Sequence, residues 1–127
     1  MSGVAPAPGG ALRRDATILV VDDQPFARDV IRLALEGAGY TVLEAESPSA
    51  ALGIVRETPR LDLLVADVVM PEMDAFELSE LVVRELPGIR VLFTSGYANA
   101  AEEGPFIQKP FSPSELVAKV DGLLAGA

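Results

Sequence analysis

The sequence predicts an α/β fold, with a parallel β-sheet held between layers of helices. Three observations carry this. Short apolar, β-branched runs recur along the chain, at Thr17–Val21, Leu63–Ala66 and Val91–Phe93 among others. Stretches with apolar residues at helical spacing alternate with them. Several of the apolar runs stop at polar or charged residues. Strands alternating with helices imply a parallel sheet whose right-handed crossovers cover both faces.

The chain has 127 residues, which makes one domain the default. Half the residues are hydrophobic, enough for a core. Net charge is −9 with no basic run, which argues against a nucleic-acid surface or an anionic membrane as partner. There is no Cys and no His. Disulfides, thiolate metal sites, thiol nucleophiles, Ser–His dyads and His-ligated metals are therefore excluded. No apolar run approaches a membrane span and the N-terminus lacks an apolar signal core, so a cytoplasmic location is expected.

Residues 1–16 are rich in Ala, Pro and Gly and read as a flexible tail, leaving 17–127 as the domain. Thr17–Val21 reads as a buried strand that ends in Asp22-Asp23. Pro25 can open the next helix. Phe26, Val30, Ala34 and Ala38 recur at helical spacing, with Ile31 and Leu35 beside them, and Gly37 and Gly39 stop the helix. The Gly-x-Gly here follows a helix and precedes a strand, the reverse of a dinucleotide fingerprint.

Tyr40–Ala45 is the second strand. Ser47-Pro48 caps a helix to about Glu57 that buries Ala51, Leu52 and Val55, and Pro59 breaks it. Leu63–Ala66 then runs into Asp67. Asp74-Ala75-Phe76-Glu77 is a capping-box pattern for a helix turning Leu78, Leu81, Val82 and Leu86 inward, ended by Pro87-Gly88. Arg90–Ser95 is a strand ending in hydroxyls, and Phe106–Lys109 a short strand ending in a cation. Ser112-Pro113-Ser114-Glu115 is a full capping box for a last helix that buries Leu116, Val117, Val120 and Leu124.

Only Tyr97 to Gly104 separate Gly96 from Pro105. A crossover with its helix normally needs at least ~10–12 residues, so the fourth helix should be short or irregular. The economical topology is a flavodoxin-like three-layer sandwich, a five-stranded parallel sheet of order 2-1-3-4-5. Its switch point lies beside strands one and three, the strands that end in Asp22, Asp23 and Asp67.

An ionised carboxylate within a buried strand would be costly, but at a C-terminal strand end it can face the ligand crevice. There the topology gathers three carboxylates, the Ser95 hydroxyl and the Lys109 ammonium. Crowded carboxylates raise each other's pKa, and a hard divalent cation such as Mg²⁺ relieves this. Asp is an established phosphoryl acceptor in covalent catalysis. The set suits in-line attack of Asp67 on a phosphoryl group, with Mg²⁺ and Lys109 neutralising its oxygens. Each residue alone has a plainer explanation: Asp22 or Asp23 as a helix cap, Lys109 as a solvated strand end, Ser95 as a loop hydroxyl. Their coincidence at the strand ends of one sheet carries the argument.

Val21-Asp22-Asp23, Asp67-Val68-Val69-Met70-Pro71, Thr94-Ser95-Gly96 and Lys109-Pro110-Phe111, in this order, resemble the response-regulator receiver domain of two-component signalling. The short fourth crossover is similar to a variant group often attached to hybrid histidine kinases. The resemblance implies that Asp67 accepts phosphoryl from a phosphohistidine on a histidine kinase or histidine phosphotransfer protein. It implies Mg²⁺ held by Asp22, Asp23, Asp67 and the backbone carbonyl of Val69. Ser95 and Phe106 would be the switch pair, and Lys109 would contact the phosphoryl group. Val69 and Tyr97 would tune its loss, which their bulk should make slow. A cis Lys109–Pro110 bond is implied too. Ala75 stands where the family has Gly, so that turn should differ. With no output domain after the receiver motifs, a single-domain response regulator acting through a downstream protein is expected. The initiating Met and loose tail favour an independent protein. The alternatives are a receiver-like binding module that is never phosphorylated, and an Asp-nucleophile phosphatase. The phosphatase families resemble Asp-x-Asp, whereas Asp67-Val68-Val69 lacks the second acid.

Overall fold

The computed structural model describes residues 15–96 and 104–125. Among these residues, five strands and four helices follow in the order β1 (Thr17–Val21), α1 (Pro25–Gly37), β2 (Thr41–Ala45), α2 (Pro48–Glu57), β3 (Leu63–Asp67), α3 (Ala75–Glu85), β4 (Arg90–Ser95), β5 (Phe106–Gln108) and α4 (Pro113–Ala125). All pairings are parallel and the strand order is β2-β1-β3-β4-β5, as expected. The expected short fourth crossover and Tyr97 fall at 97–103, outside the described residues.

Alternation along the strands builds two cores. Leu19, Val21, Leu64 and Ala66 face α2 and α3, where Ala51, Val55, Leu78 and Val82 close over them. Ile18, Val20, Leu63 and Val65 face the other way, under Ile31 and Leu35 of α1 and Leu116, Val120 and Leu124 of α4. Every residue of β3 is buried, as a central strand covered on both faces requires. Edge strands β2 and β5 are only partly covered. Ala16, assigned to the tail by the sequence reading, instead belongs to the core: it is fully buried and its carbonyl accepts from the Thr41 N–H at 3.2 Å.

The helix boundaries follow local chemistry. The Ser47 hydroxyl accepts from the Ala50 N–H, and the Asp74 carboxylate from the Glu77 N–H. At α4 the box is reciprocal: Glu115 N–H donates to the Ser112 hydroxyl at 3.1 Å, and Ser112 N–H to the Glu115 carboxylate at 2.8 Å. Helix α1 has Pro25 in its first turn and ends before Gly39, whose φ of 105° suits glycine. Phe26 shares the helical spacing of the core residues but is 81% exposed. It borders an open apolar groove with Val30, Pro110 and Phe111.

The loop between β3 and α3 carries its positive φ ahead of the position where the family has glycine. Ala75 opens α3 and is fully buried, and the left-handed backbone falls on Glu72, at φ 77°. Such a conformation costs a non-glycine residue energy. Here the Glu72 carboxylate accepts from the N–H and hydroxyl of Ser49, 3.1 and 3.0 Å away in the first turn of α2.

Candidate functional site

Sheet register brings the acids together. Val21 pairs with Ala66, so Asp22 and Asp67 leave neighbouring strands side by side. One carboxylate oxygen from each of Asp22, Asp23 and Asp67 lies within 4.8 Å of the others. The Lys109 Nζ stands 3.3 Å from Oδ2 of both Asp22 and Asp67. It is placed there by its own N–H, which donates to the Ser95 carbonyl at 2.7 Å just beyond β5, ahead of the cis Lys109–Pro110 peptide.

The acids are not equivalent. Asp22 is fully buried; its Oδ1 accepts from the Gln24 N–H at 2.9 Å while Oδ2 meets Lys109. It does not cap α1, whose N-cap is Gln24 without a side-chain bond. Asp67 is 9% exposed, and its Oδ1 has a long contact, 3.4 Å, from the Val69 N–H. Burial pushes the Asp67 carboxyl above its ordinary value and repulsion from Asp22 adds to this, while Lys109 and the Val69 N–H pull it down. Oxygen donors clustered around a carboxyl that resists ionisation suit a hard divalent cation. Asp22, Asp23 and Asp67 are the residues that could hold it, with Val69 next along the loop.

The hydroxyls of β4 are both enclosed. Ser95 is 1% exposed, opposite Gln108 in the sheet. Thr94 pairs with Asp67 in register, is fully buried, and its hydroxyl has no hydrogen-bond partner among the described residues. Phe106 is half-buried opposite Phe93, whose ring meets Phe76 edge-on at 4.8 Å. Val69 is 62% exposed on the loop after Asp67.

Two residues near the site escaped sequence reasoning. Arg28 donates from Nη1 to the Asp22 carbonyl at 2.7 Å, and Glu72 ties the loop after Asp67 to α2. A lone Arg in a helix and a lone Glu in a loop carry no distinguishing signal. Their partners are fixed only by the tertiary fold.

A parallel sandwich with an acid cluster and a lysine at its switch point defines a domain of the flavodoxin-like class. The chain belongs to the response regulator receiver domain family, whose model matches residues 18–121. It is similar to the sensor kinase CckA of Brucella abortus, 38% identical over 122 residues, which cover 89% of this chain and 13% of that protein. It is also similar to the response regulator receiver protein CpdR of Brucella abortus, 31% identical over 118 residues, covering 87% of this chain and 97% of that one. A solved receiver domain from the hybrid histidine kinase CckA superimposes with a TM-score of 0.76 at 35% identity, over 86% of this chain and 99% of that one. Receiver domains of this family work in two-component systems with histidine kinases or phosphotransfer proteins. Among the described residues, no helix is long and apolar enough to cross a membrane.

Proposed function

We propose that the chain is a phosphoacceptor module in which Asp67 receives a phosphoryl group from a phosphohistidine on a histidine kinase or histidine phosphotransfer protein. One observation carries this reading: the Asp67 carboxylate sits at the end of β3 with Lys109 at 3.3 Å and two further carboxylates beside it.

In the transfer, an Asp67 carboxylate oxygen attacks phosphorus in line, the P–N bond to the donor imidazole breaks, and the imidazole keeps the electron pair and takes up a proton. Lys109 offsets the charge on the phosphoryl oxygens. Ser95, buried at the adjacent strand end, is the hydroxyl that would follow the phosphoryl group, with Phe106 moving in concert. A bound Mg²⁺ would supply the divalent charge that lets three acids and a phosphoryl group share one site. Asp22, Asp23, Asp67 and the Val69 carbonyl are its proposed ligands. Val69, two residues after Asp67, carries a bulky apolar side chain on the loop beside the acceptor, which favours slow hydrolysis of the acyl phosphate. Output passes through contact with another protein. An Asp-nucleophile phosphatase is disfavoured, because the second residue after Asp67 is this valine and not an acid.

The test is intact mass after incubation with Mg²⁺ and acetyl phosphate. The parent should gain one phosphoryl group that survives well beyond seconds, and Asp67→Asn should gain none. A phosphorylated Asp67→Asn protein would move the acceptor elsewhere. A parent that stays unmodified with acetyl phosphate and with a phosphorylated histidine phosphotransfer protein would leave a binding module.

A further inference from the structure

We propose that Arg28 is a positioning residue for divalent-cation binding, acting by fixing the peptide between Asp22 and Asp23. The proposal rests on the reading of the three acids as a cation site.

Strand β1 ends at Val21, so the Asp22 carbonyl lies beyond the strand, and it accepts from Arg28 Nη1 at 2.7 Å. On the other side of the residue, the Asp22 N–H donates to the Ala45 carbonyl at 3.2 Å. Arg28 is itself oriented: its Nε lies 3.3 Å from Oε1 of Glu44 on β2. Glu44 is held in turn, since Oε2 lies 3.1 Å from the Arg32 Nε one helical turn along α1. Both peptides flanking Asp22 are therefore tied to the end of β2, one directly through Ala45 and one through Arg28 and Glu44. The Arg28 side chain is only 17% exposed, unlike a solvated surface arginine.

The acid that gains from this is Asp23. Asp22 has Lys109 and Gln24 to hold its carboxylate, and Asp67 has Lys109. Among the described residues no hydrogen bond restrains the Asp23 carboxylate, so its position follows from its backbone. That backbone begins at the peptide whose carbonyl Arg28 grips. The planar fork of the guanidinium can reach a carboxylate and a carbonyl together, which a lysine ammonium does with far less directional control.

Charge and positioning make opposite predictions here. Arg28 is a cation close to the acids, so deleting it should tighten Mg²⁺ binding if only Coulomb attraction matters. If Arg28 positions Asp23, deletion should loosen it, on the scale of other groups that orient metal ligands, roughly tenfold or more.

The experiment is a Mg²⁺ titration of the full chain followed by amide ¹H–¹⁵N shifts, which also report the fold. Parent, Arg28→Ala, Arg28→Lys and Asp23→Asn are compared. Arg28→Ala should bind roughly tenfold more weakly than the parent with shifts confined to the site, and Arg28→Lys should restore the affinity only in part. Asp23→Asn should weaken binding too. Arg28→Ala binding as tightly as the parent or tighter, with Arg28→Lys unchanged, would overturn the proposal and leave the cation-site reading intact. A parent with no saturable Mg²⁺ response would remove the cation site, and Arg28's role with it. Should Arg28→Ala fail to fold, Arg28→Lys, which keeps the stem and the charge, decides the matter.

Discussion

Asp67 is held in a position that resists its own ionisation. Burial disfavours the carboxylate and Asp22 repels it, with Lys109 and the Val69 N–H only partly offsetting them. Its folded pKa therefore lies above the unfolded value. The folded protein then binds the proton more tightly than the unfolded chain does, so stability falls as pH rises from the unfolded pKa through the folded one. Above the folded pKa the whole penalty is present. With a chelator to remove divalent cations, Asp67→Asn should melt a few degrees higher than the parent at pH 7. The difference should shrink as pH falls toward the unfolded carboxylate range. Thermal melts of both proteins across that range check this, and an Asp67→Asn protein less stable at pH 7 would show that Lys109 outweighs burial. At this scale Asp22, Asp23, Asp67 and Lys109 were legible because each ends an apolar strand. Arg28 and Glu72 were not, because what defines them is a partner 16 or 23 residues away across the fold. The exposure of Phe26 was not legible for a related reason: helical spacing marks a stripe, but whether the first turn of that stripe is covered depends on what lies beyond the strand ends.

The helices owe their starts to short-range chemistry, and this is why their boundaries could be read. Ser47, Asp74 and Ser112 each accept a hydrogen bond from the N–H three residues on, as their sequence patterns indicated. The box at α4 is reciprocal, and the Ser112 N–H followed by its hydroxyl holds the Glu115 carboxyl below its ordinary value. The contribution of Glu115 is therefore present above the unfolded carboxylate pKa and lost as pH falls through the folded one. Helix α4 also carries Leu116, Val120 and Leu124 into the core under β1 and β3, so weakening its first turn weakens a core face. Ser112→Ala should cost about 1 kcal/mol of global stability. Urea unfolding would show a lower midpoint with an unchanged slope. An unchanged midpoint would mean that the Pro113 turn and the packed face hold α4 without the cap. Boundaries set by tertiary register were less legible: Ala16 looks like tail because the residues before it do, yet pairing of β1 with β2 draws it into the core.

At the scale of the whole molecule, the strand order does the work of assembling the site. Reading β1 and β3 as neighbours places two acids side by side, and reading β5 as an edge beyond β4 lets Lys109 reach back over them. The sequence carried that order through its alternation of strands and helices. The same order carried the tension that results, a cluster of like charges gathered at the strand ends. That tension makes the fold and the ligand thermodynamically linked. A cation bound by the folded acids and absent from the unfolded chain stabilises the fold by about 2.7 kcal/mol when its concentration is 100 times its dissociation constant. Mg²⁺ should accordingly raise the melting temperature of the parent by several degrees over a chelated control. Asp67→Asn, already relieved of its buried charge and short of one donor, should start higher and rise less. The two effects are then not additive, which is the mark of a shared site. If Mg²⁺ raised the melting temperatures of parent and Asp67→Asn equally, the stabilising ion would be bound away from the acid cluster.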